Sequence, residues 1–129
     1  MKLSVIVITK NEAANIAECL KSVAFADEFI VVDSGSTDGT VELARALGAR
    51  VEVTADWPGF GPQKNRALDL ASGEWVLSID ADERVTPELA REIQDTLAAP
   101  RAHAYEIARL SNFCGRDIRH SGWWPDYVL

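Results

Sequence analysis

Cysteine is nearly absent from this chain, with Cys19 and Cys114 the only two among 129 residues. One lies on an apparent helix and the other in a later loop, a spacing that suits neither a disulfide framework nor a zinc site. A reducing cytosol is the expected compartment. Long apolar runs are missing as well. The opening run Leu3-Ser4-Val5-Ile6-Val7-Ile8 is far short of the roughly 20 residues that cross a bilayer. It is also too short for a signal peptide and carries no small-residue cleavage pattern, so any membrane association is expected to be peripheral. Positive charge is scarce: 13 Lys and Arg face 20 Asp and Glu, for a formal net charge of −7. That balance argues against general nucleic-acid binding but permits an anion held at a local basic pocket or through a metal. Finally, no glycine-rich loop follows the first apolar run, which excludes the dinucleotide fingerprint and the Walker lysine motif. Any phosphate must be held by other means.

The charge is uneven, since the basic deficit belongs to residues 1–100. Residues 101–129 set Arg101, Arg109, Arg116 and Arg119 against Glu106, Asp117 and Asp126. There is no internal repeat and no low-complexity linker, and the length fits one domain able to bury its own core.

What is present is an alternation of strand and helix patterns. Residues 3–9 are short, β-branched and almost wholly apolar, as in a strand covered on both faces. Residues 13–23 place Ile16, Leu20 and Val23 at helical spacing, with Asn11 as N-cap and Asn15, Glu18 and Lys21 facing out. Residues 29–32 repeat the strand pattern and stop at the turn formers Asp33-Ser34-Gly35-Ser36-Thr37-Asp38-Gly39. A second helix over 40–47 ends at Gly48, a left-handed C-cap residue, and 50–54 is a weaker third strand. Trp57-Pro58-Gly59-Phe60-Gly61-Pro62 reads as irregular, leading into a helix over 63–71 closed by Gly73. Residues 74–79 form a buried strand. A fourth helix over 87–97 takes Thr86 as N-cap and Pro87 in its first turn, with Leu89, Ile93 and Leu97 on one face. Residues 104–110 fit a fifth strand, and 111–129 carry no assignable element. The order predicts an α/β fold, a Rossmann-like βαβ sandwich whose mainly parallel central sheet has helices on both faces. Ligands of such folds bind at the carboxyl ends of the strands.

Three polar clusters fall at such ends: Thr9-Lys10-Asn11-Glu12, Asp33-Ser34-Gly35-Ser36 and Asp80-Ala81-Asp82. If the strand continues through the last of these, Asp80 and Asp82 point one way and Ala81 the other. Two carboxylates so placed can share Mg²⁺ or Mn²⁺, which in turn holds a diphosphate. The alternative is a solvated acidic turn before the helix that starts at Thr86-Pro87-Glu88. Lys64 and Arg66, at the start of the third helix, either assist with phosphate through charge and helix-terminal N–H groups or form an ordinary solvated face. Asp33 and Glu12 either accept hydrogen bonds from a base or ribose or cap turns. Ser34, Ser36 and Asp38 read as turn-capping residues. Trp123 and Trp124 either stack on a sugar or seal the sheet edge.

Three segments carry a family resemblance: Ser4-Val5-Ile6-Val7-Ile8-Thr9-Lys10-Asn11-Glu12, then Val31-Val32-Asp33-Ser34-Gly35-Ser36-Thr37-Asp38-Gly39-Thr40, then Asp80-Ala81-Asp82-Glu83. In their order and spacing they resemble the family 2 glycosyltransferases of the GT-A fold. Pro62-Gln63-Lys64-Asn65-Arg66-Ala67-Leu68 and Gly122-Trp123-Trp124-Pro125-Asp126 are similar to the branch that adds glucose to the lipopolysaccharide inner core of Gram-negative bacteria. The resemblance implies a metal-dependent, inverting transfer of a hexose, glucose, from a UDP-sugar to a lipid-linked saccharide at the cytoplasmic face of the inner membrane. By motif, Thr9 and Glu12 would line the nucleoside pocket, Asp33 would meet the uracil, and Asp80 would approach the ribose or the metal. Asp82 would ligate Mg²⁺ or Mn²⁺ directly.

An inverting transfer also needs a base for the acceptor hydroxyl. In the family it lies well downstream of the metal motif, which leaves Asp126 as first candidate and His120 as second, each with the alternative of a surface loop residue. Because the chain stops at Leu129, the expectation is a single domain over 1–129. Its nucleotide-sugar-binding portion would be 1–100, and 101–129 would begin an incomplete acceptor region. An incomplete acceptor half would expose apolar surface and favour oligomers. The competing reading is a nucleotide-sugar-binding fragment or regulatory module without turnover. A flavodoxin-like phosphoacceptor domain is set aside, because it wants its acidic pair after the first strand and a lone Asp after the third. Nucleotidyltransferases are set aside for want of a glycine-rich basic loop.

Overall fold

The computed structural model describes residues 3–73, 75–98, 105–106 and 122–125. Along the chain run β1 (Leu3–Thr9), α1 (Ile16–Ser22), β2 (Glu28–Asp33), α2 (Thr40–Ala46), β3 (Arg50–Val53), α3 (Phe60–Leu70), β4 (Trp75–Ser78), α4 (Pro87–Ala98), β5 (Tyr105–Glu106) and β6 (Gly122–Pro125). The strands form one sheet in the order β3-β2-β1-β4-β6-β5. β1 pairs in parallel with β2 and β4, and β2 with β3. β6 runs antiparallel to both β4 and β5. The expected α/β sandwich with a mainly parallel sheet is therefore the observed fold.

Alternation along the central strands explains why both faces are covered. Leu3, Val5 and Val7 of β1, Val31 of β2 and Leu77 of β4 pack with Ile16, Cys19 and Leu20 of α1, Ala44 of α2, and Leu89 and Ile93 of α4. The intervening residues Ile6, Ile30, Val32 and Val76 pack on the other face against Ala67 of α3. Each fully buried Val, Ile or Leu stabilises the sheet by about 1.5–3 kcal/mol relative to exposure, so hydrophobicity on both faces fixes these strands in the interior.

Several boundaries differ from expectation. Asn11 is not the cap of α1. It sits at φ 54°, a left-handed conformation that Asn tolerates, and its amide oxygen accepts the Thr37 N–H at 2.8 Å. Its own N–H donates to Ser36 Oγ at 2.7 Å, so the residue clamps the β2–α2 loop. α1 begins only at Ile16, with Asn15 at the cap position. α3 begins at Phe60 rather than 63, after Gly59. Pro62 fits because the first-turn N–H groups have no intrahelical acceptor. The helix ends before Ala71, which is extended at φ −71° and ψ 137°, so Gly73 is not its cap; the Gly73 N–H donates instead to Ser4 Oγ at 2.9 Å. Gly48 does follow α2 at φ 90°. Thr86 does cap α4, its Oγ1 accepting the Leu89 N–H at 3.1 Å.

Within the expected strand 104–110 the described part is β5, and Leu97's side chain lies outside the described residues. β6 was not anticipated, because Gly-Trp-Trp-Pro has no period-two pattern. No helix among the described residues is long and apolar enough to cross a membrane.

Candidate donor site

The carboxyl ends of β1, β2 and β4 and the β3–α3 loop surround a cleft of about 600 Å³. β1 contributes Ile8 and Thr9, followed by Lys10 and Glu12; Ser34 follows β2; Ala55, Asp56 and Trp57 come from the loop and Phe60 from the first residue of α3; Asp80, Ala81 and Asp82 follow β4. The three polar strand ends expected to converge do so.

Asp33 organises the floor. It is register partner to Thr9 and fully buried. Its Oδ1 accepts hydrogen bonds from Thr9 Oγ1 at 2.6 Å and from Ser36 Oγ. Its Oδ2 accepts the N–H groups of Gly35 at 2.9 Å and Ser36 at 2.7 Å. Burial pushes the carboxyl up, but the Ser36, Thr9 and Gly35 hydrogen bonds outweigh it and hold the pKa below the usual carboxylate value. Both oxygens accept hydrogen bonds within the protein, and Asp33 is not among the residues that line the cleft. The turn-capping alternative is what the geometry shows. Thr9 reaches the wall with its hydroxyl already directed at Asp33. Ser36 and Asp38 behave as turn residues, Asp38 accepting the Thr40 hydroxyl and the N–H groups of Thr40 and Ala13. Lys10, to which sequence reasoning assigned no role, donates from Nζ to the Gly35 carbonyl at 2.9 Å. Gly35 lies at φ 102°, where a side chain is strained.

The acidic segment is a turn rather than a strand extension. β4 stops at Ser78, the Glu83 N–H donates to the Asp80 carbonyl at 2.9 Å, and Glu83 Oε1 accepts the Asp80 N–H at 2.9 Å. The alternation argument is thus replaced by a turn that achieves the same sorting. Ala81 and Glu83 are buried while Asp80 and Asp82 are partly exposed to the cleft. Glu83, the buried carboxylate that closes the turn, was missed as a positioning residue. Behind the turn, Cys19 Sγ is 3.6 Å from the Asp80 carbonyl. Burial, reinforced by Glu83, Asp80 and Asp82 and opposed by Arg84, pushes its thiol up to about 12.

Lys64 and Arg66 lie one turn into α3, not at its start, and part company. Lys64 Nζ is 3.9 Å from Asp80 Oδ1. Arg66 makes a two-pronged pair with Asp56 at 2.9 and 3.0 Å and a third bond to Gln63 Oε1. That pairing lowers the Asp56 pKa and raises that of Arg66; it secures the cleft's far wall and leaves Arg66 off the lining. Trp57 and Phe60, also missed, meet edge to face with centroids 5.1 Å apart. Asp126 and His120 lie outside the described residues.

No group of three His, Cys, Asp or Glu side chains is placed to hold a metal ion among the described residues. Among those residues there is no all-protein cage. Mg²⁺ and Mn²⁺ suit a different donor set, one or two carboxylates completed by water and phosphate oxygens. Asp80 and Asp82 on the cleft wall fit that chemistry.

The glycosyl transferase family 2 profile matches residues 4–127, and the chain belongs to that family. It is 47% identical over 113 residues to an uncharacterized glycosyltransferase of Rickettsia felis, a match covering 84% of this chain and 40% of the relative. It is 36% identical over 108 residues to the lipopolysaccharide core biosynthesis glycosyltransferase LpsC of Rhizobium meliloti, covering 77% and 38%. Among solved structures it is similar to the mannosyltransferase PcManGT from Pyrobaculum calidifontis in complex with GDP-Man and Mn²⁺. That likeness has a TM-score of 0.74 and 26% identity and covers 96% of this chain and 44% of the other. The chain spans about two fifths of the length of the curated relatives named here.

Proposed function

We propose that this chain forms the donor-binding part of a metal-dependent, inverting hexosyltransferase. Its donor would be a UDP-sugar, UDP-glucose by the sequence resemblance, and its acceptor a saccharide of the lipopolysaccharide inner core at the cytoplasmic face of the membrane. The observation that carries the reading is the meeting of Asp80 and Asp82 beside the ends of β1 and β2 in one cleft, with Lys64 Nζ 3.9 Å behind Asp80 Oδ1. The PcManGT complex, with a nucleotide sugar and Mn²⁺ on the same fold, supports the donor class, and the likeness to LpsC supports the acceptor class.

In this reading Asp82 and Asp80 hold Mg²⁺ or Mn²⁺, with Asp82 the direct ligand. The bound cation supplies charge neutralisation for the departing diphosphate. Lys64, facing Asp80, adds a second positive charge on the helix side. Thr9 and Glu12 line the nucleoside end. Asp33 shapes that end without touching the ligand, by fixing the Gly35-Ser36 backbone. Asp126, or His120, takes the acceptor hydroxyl's proton. Residues 1–100 form the donor portion, and 101–129 begin the acceptor region.

Calorimetric titration of UDP-glucose and GDP-mannose with and without Mn²⁺, followed by a donor hydrolysis assay, tests the reading. Metal-dependent binding is expected. Absence of binding by either donor in the presence of Mn²⁺ rules it out, and binding without hydrolysis or transfer selects the module without turnover.

A further inference from the structure

The cleft has a charged end and an aromatic end, and among the described residues the second is left exposed. Trp57 is 49% exposed and Phe60 71% exposed, although both are large apolar side chains that folding ordinarily covers. They meet each other at right angles, 88° between planes, and both line the cleft that Asp80 and Asp82 line. The topology sets their separation. Trp57 follows β3 and Asp80 follows β4, and the order β3-β2-β1-β4 puts three strand spacings, about 14 Å, between those strand ends. α3 then leads back toward the acids. Phe60 and Lys64 are four residues apart and so share a helix face, one turn from each other, and Lys64 ends at Asp80.

We infer that Trp57 and Phe60 form the platform on which the donor's nucleobase stacks. The inference rests on the nucleotide-sugar reading above and deepens it. A ligand whose diphosphate lies at Lys64 and the acids directs its base along α3 toward Phe60. The hexose, bonded to the distal phosphate, stays at the acid end. Asp33, the hydrogen-bonding partner expected for the base, already accepts four hydrogen bonds from the protein. Affinity at this end therefore comes from ring faces more than from edge recognition. Stacking of this kind is tolerant of base identity, because every base offers a π face.

The test is titration of UDP, GDP, UDP-glucose and inorganic pyrophosphate, each with Mn²⁺, against the wild type, Trp57→Ala, Phe60→Ala and the ring-retaining Trp57→Phe and Phe60→Tyr. The alanine variants are expected to weaken UDP and GDP by about tenfold or more and to leave pyrophosphate unchanged, while the ring-retaining variants stay near wild type. Three results overturn the platform: UDP binding that survives both alanine variants, an equal fall for UDP and pyrophosphate, or a loss seen with UDP-glucose and not with UDP, which would make the aromatics a sugar subsite. If the wild type binds neither UDP nor pyrophosphate, the nucleotide-sugar reading itself fails and the platform with it.

Discussion

Thr9 Oγ1 donates a 2.6 Å hydrogen bond to Asp33 Oδ1 inside the protein, joining the last residues of two neighbouring parallel strands that are also register partners. Around it the carboxylate draws in Ser36 and the Gly35 N–H. The loop that brings Ser34 to the cleft is thus built on a buried charge, and its stability is coupled to the strand ends beneath.

Thr9→Val keeps the shape of the side chain and removes one donor to a charged acceptor. Such bonds contribute about 1.5–3 kcal/mol, so a loss of about 2 kcal/mol in unfolding free energy is expected from urea denaturation. An unchanged midpoint would show that the remaining three donors carry the carboxylate alone.

The depressed pKa of Asp33 makes a signed pH prediction. Its folded value lies below its unfolded one, near 3.9 for an ordinary Asp. Its contribution is present above the unfolded pKa and is lost as pH falls through the folded value. Stability should therefore begin to fall below about pH 4 and continue to fall at lower pH. Asp33→Asn should be less stable at neutral pH, since its NH₂ cannot accept the N–H bonds, and should lose part of the acid-side slope. Melting curves from pH 7 to pH 2 measure both effects, and an Asn variant with the wild-type slope would refute the assignment.

Lys64 and Asp80 are both partly exposed and 3.9 Å apart, a weak pair by geometry, worth about 0–1 kcal/mol. Lys64→Met should accordingly change stability by less than about 1 kcal/mol. Its effect belongs to ligands. In the proposed site the ammonium would compete with a cation for Asp80 when no diphosphate is present, and would assist the diphosphate when one is. Mn²⁺ binding alone should hold or strengthen in Lys64→Met while Mn²⁺-dependent UDP binding weakens. Asp82→Ala should instead abolish the metal-dependent component of UDP binding. Parallel calorimetry on the two variants separates these roles, and a fall in both ligands for Lys64→Met would contradict the competition.

How far the sequence disclosed this site follows from the kind of signal each part carries. The apolar strands β1 and β2, the Gly48 stop and the Thr86 cap were legible because burial on two faces and capping chemistry act locally. Convergence of residues 9–12, 33–36 and 80–82 was legible from fold class, since parallel strands end on one edge. Asp33's commitment to its own loop was not, because a carboxylate that caps and one that binds look alike until its neighbours are placed. The Asp80-to-Glu83 turn was legible as the solvated alternative to a strand extension, but the burial of Glu83 within it was not, because an acid in an acidic run looks solvated until its neighbours are placed. Trp57 and Phe60 were passed over because the surrounding Pro and Gly suggested an irregular linker, whereas Pro62 falls in the first turn of α3, where it is tolerated.

Cys19 offers a probe of that same turn from behind. It is fully buried, its Sγ faces the Asp80 carbonyl at 3.6 Å, and its pKa is raised to about 12, so the thiolate that reacts with alkylating reagents is scarce in the folded protein. In a Cys114→Ser background, labelling of Cys19 should be slow and should follow opening of the α1–turn contact rather than reagent concentration. Weakening the turn through Glu83→Gln should speed labelling, because the Asp80 N–H loses a charged acceptor. A diphosphate held with Mn²⁺ at Asp80 and Asp82 should slow it, because a ligand that binds the closed turn stabilises it by mass action. Mass spectrometric labelling rates with Mn²⁺ alone, UDP alone and both together read this out. Protection that requires both would tie metal and nucleotide to the acidic turn, and rates that ignore all three would sever the turn from the site.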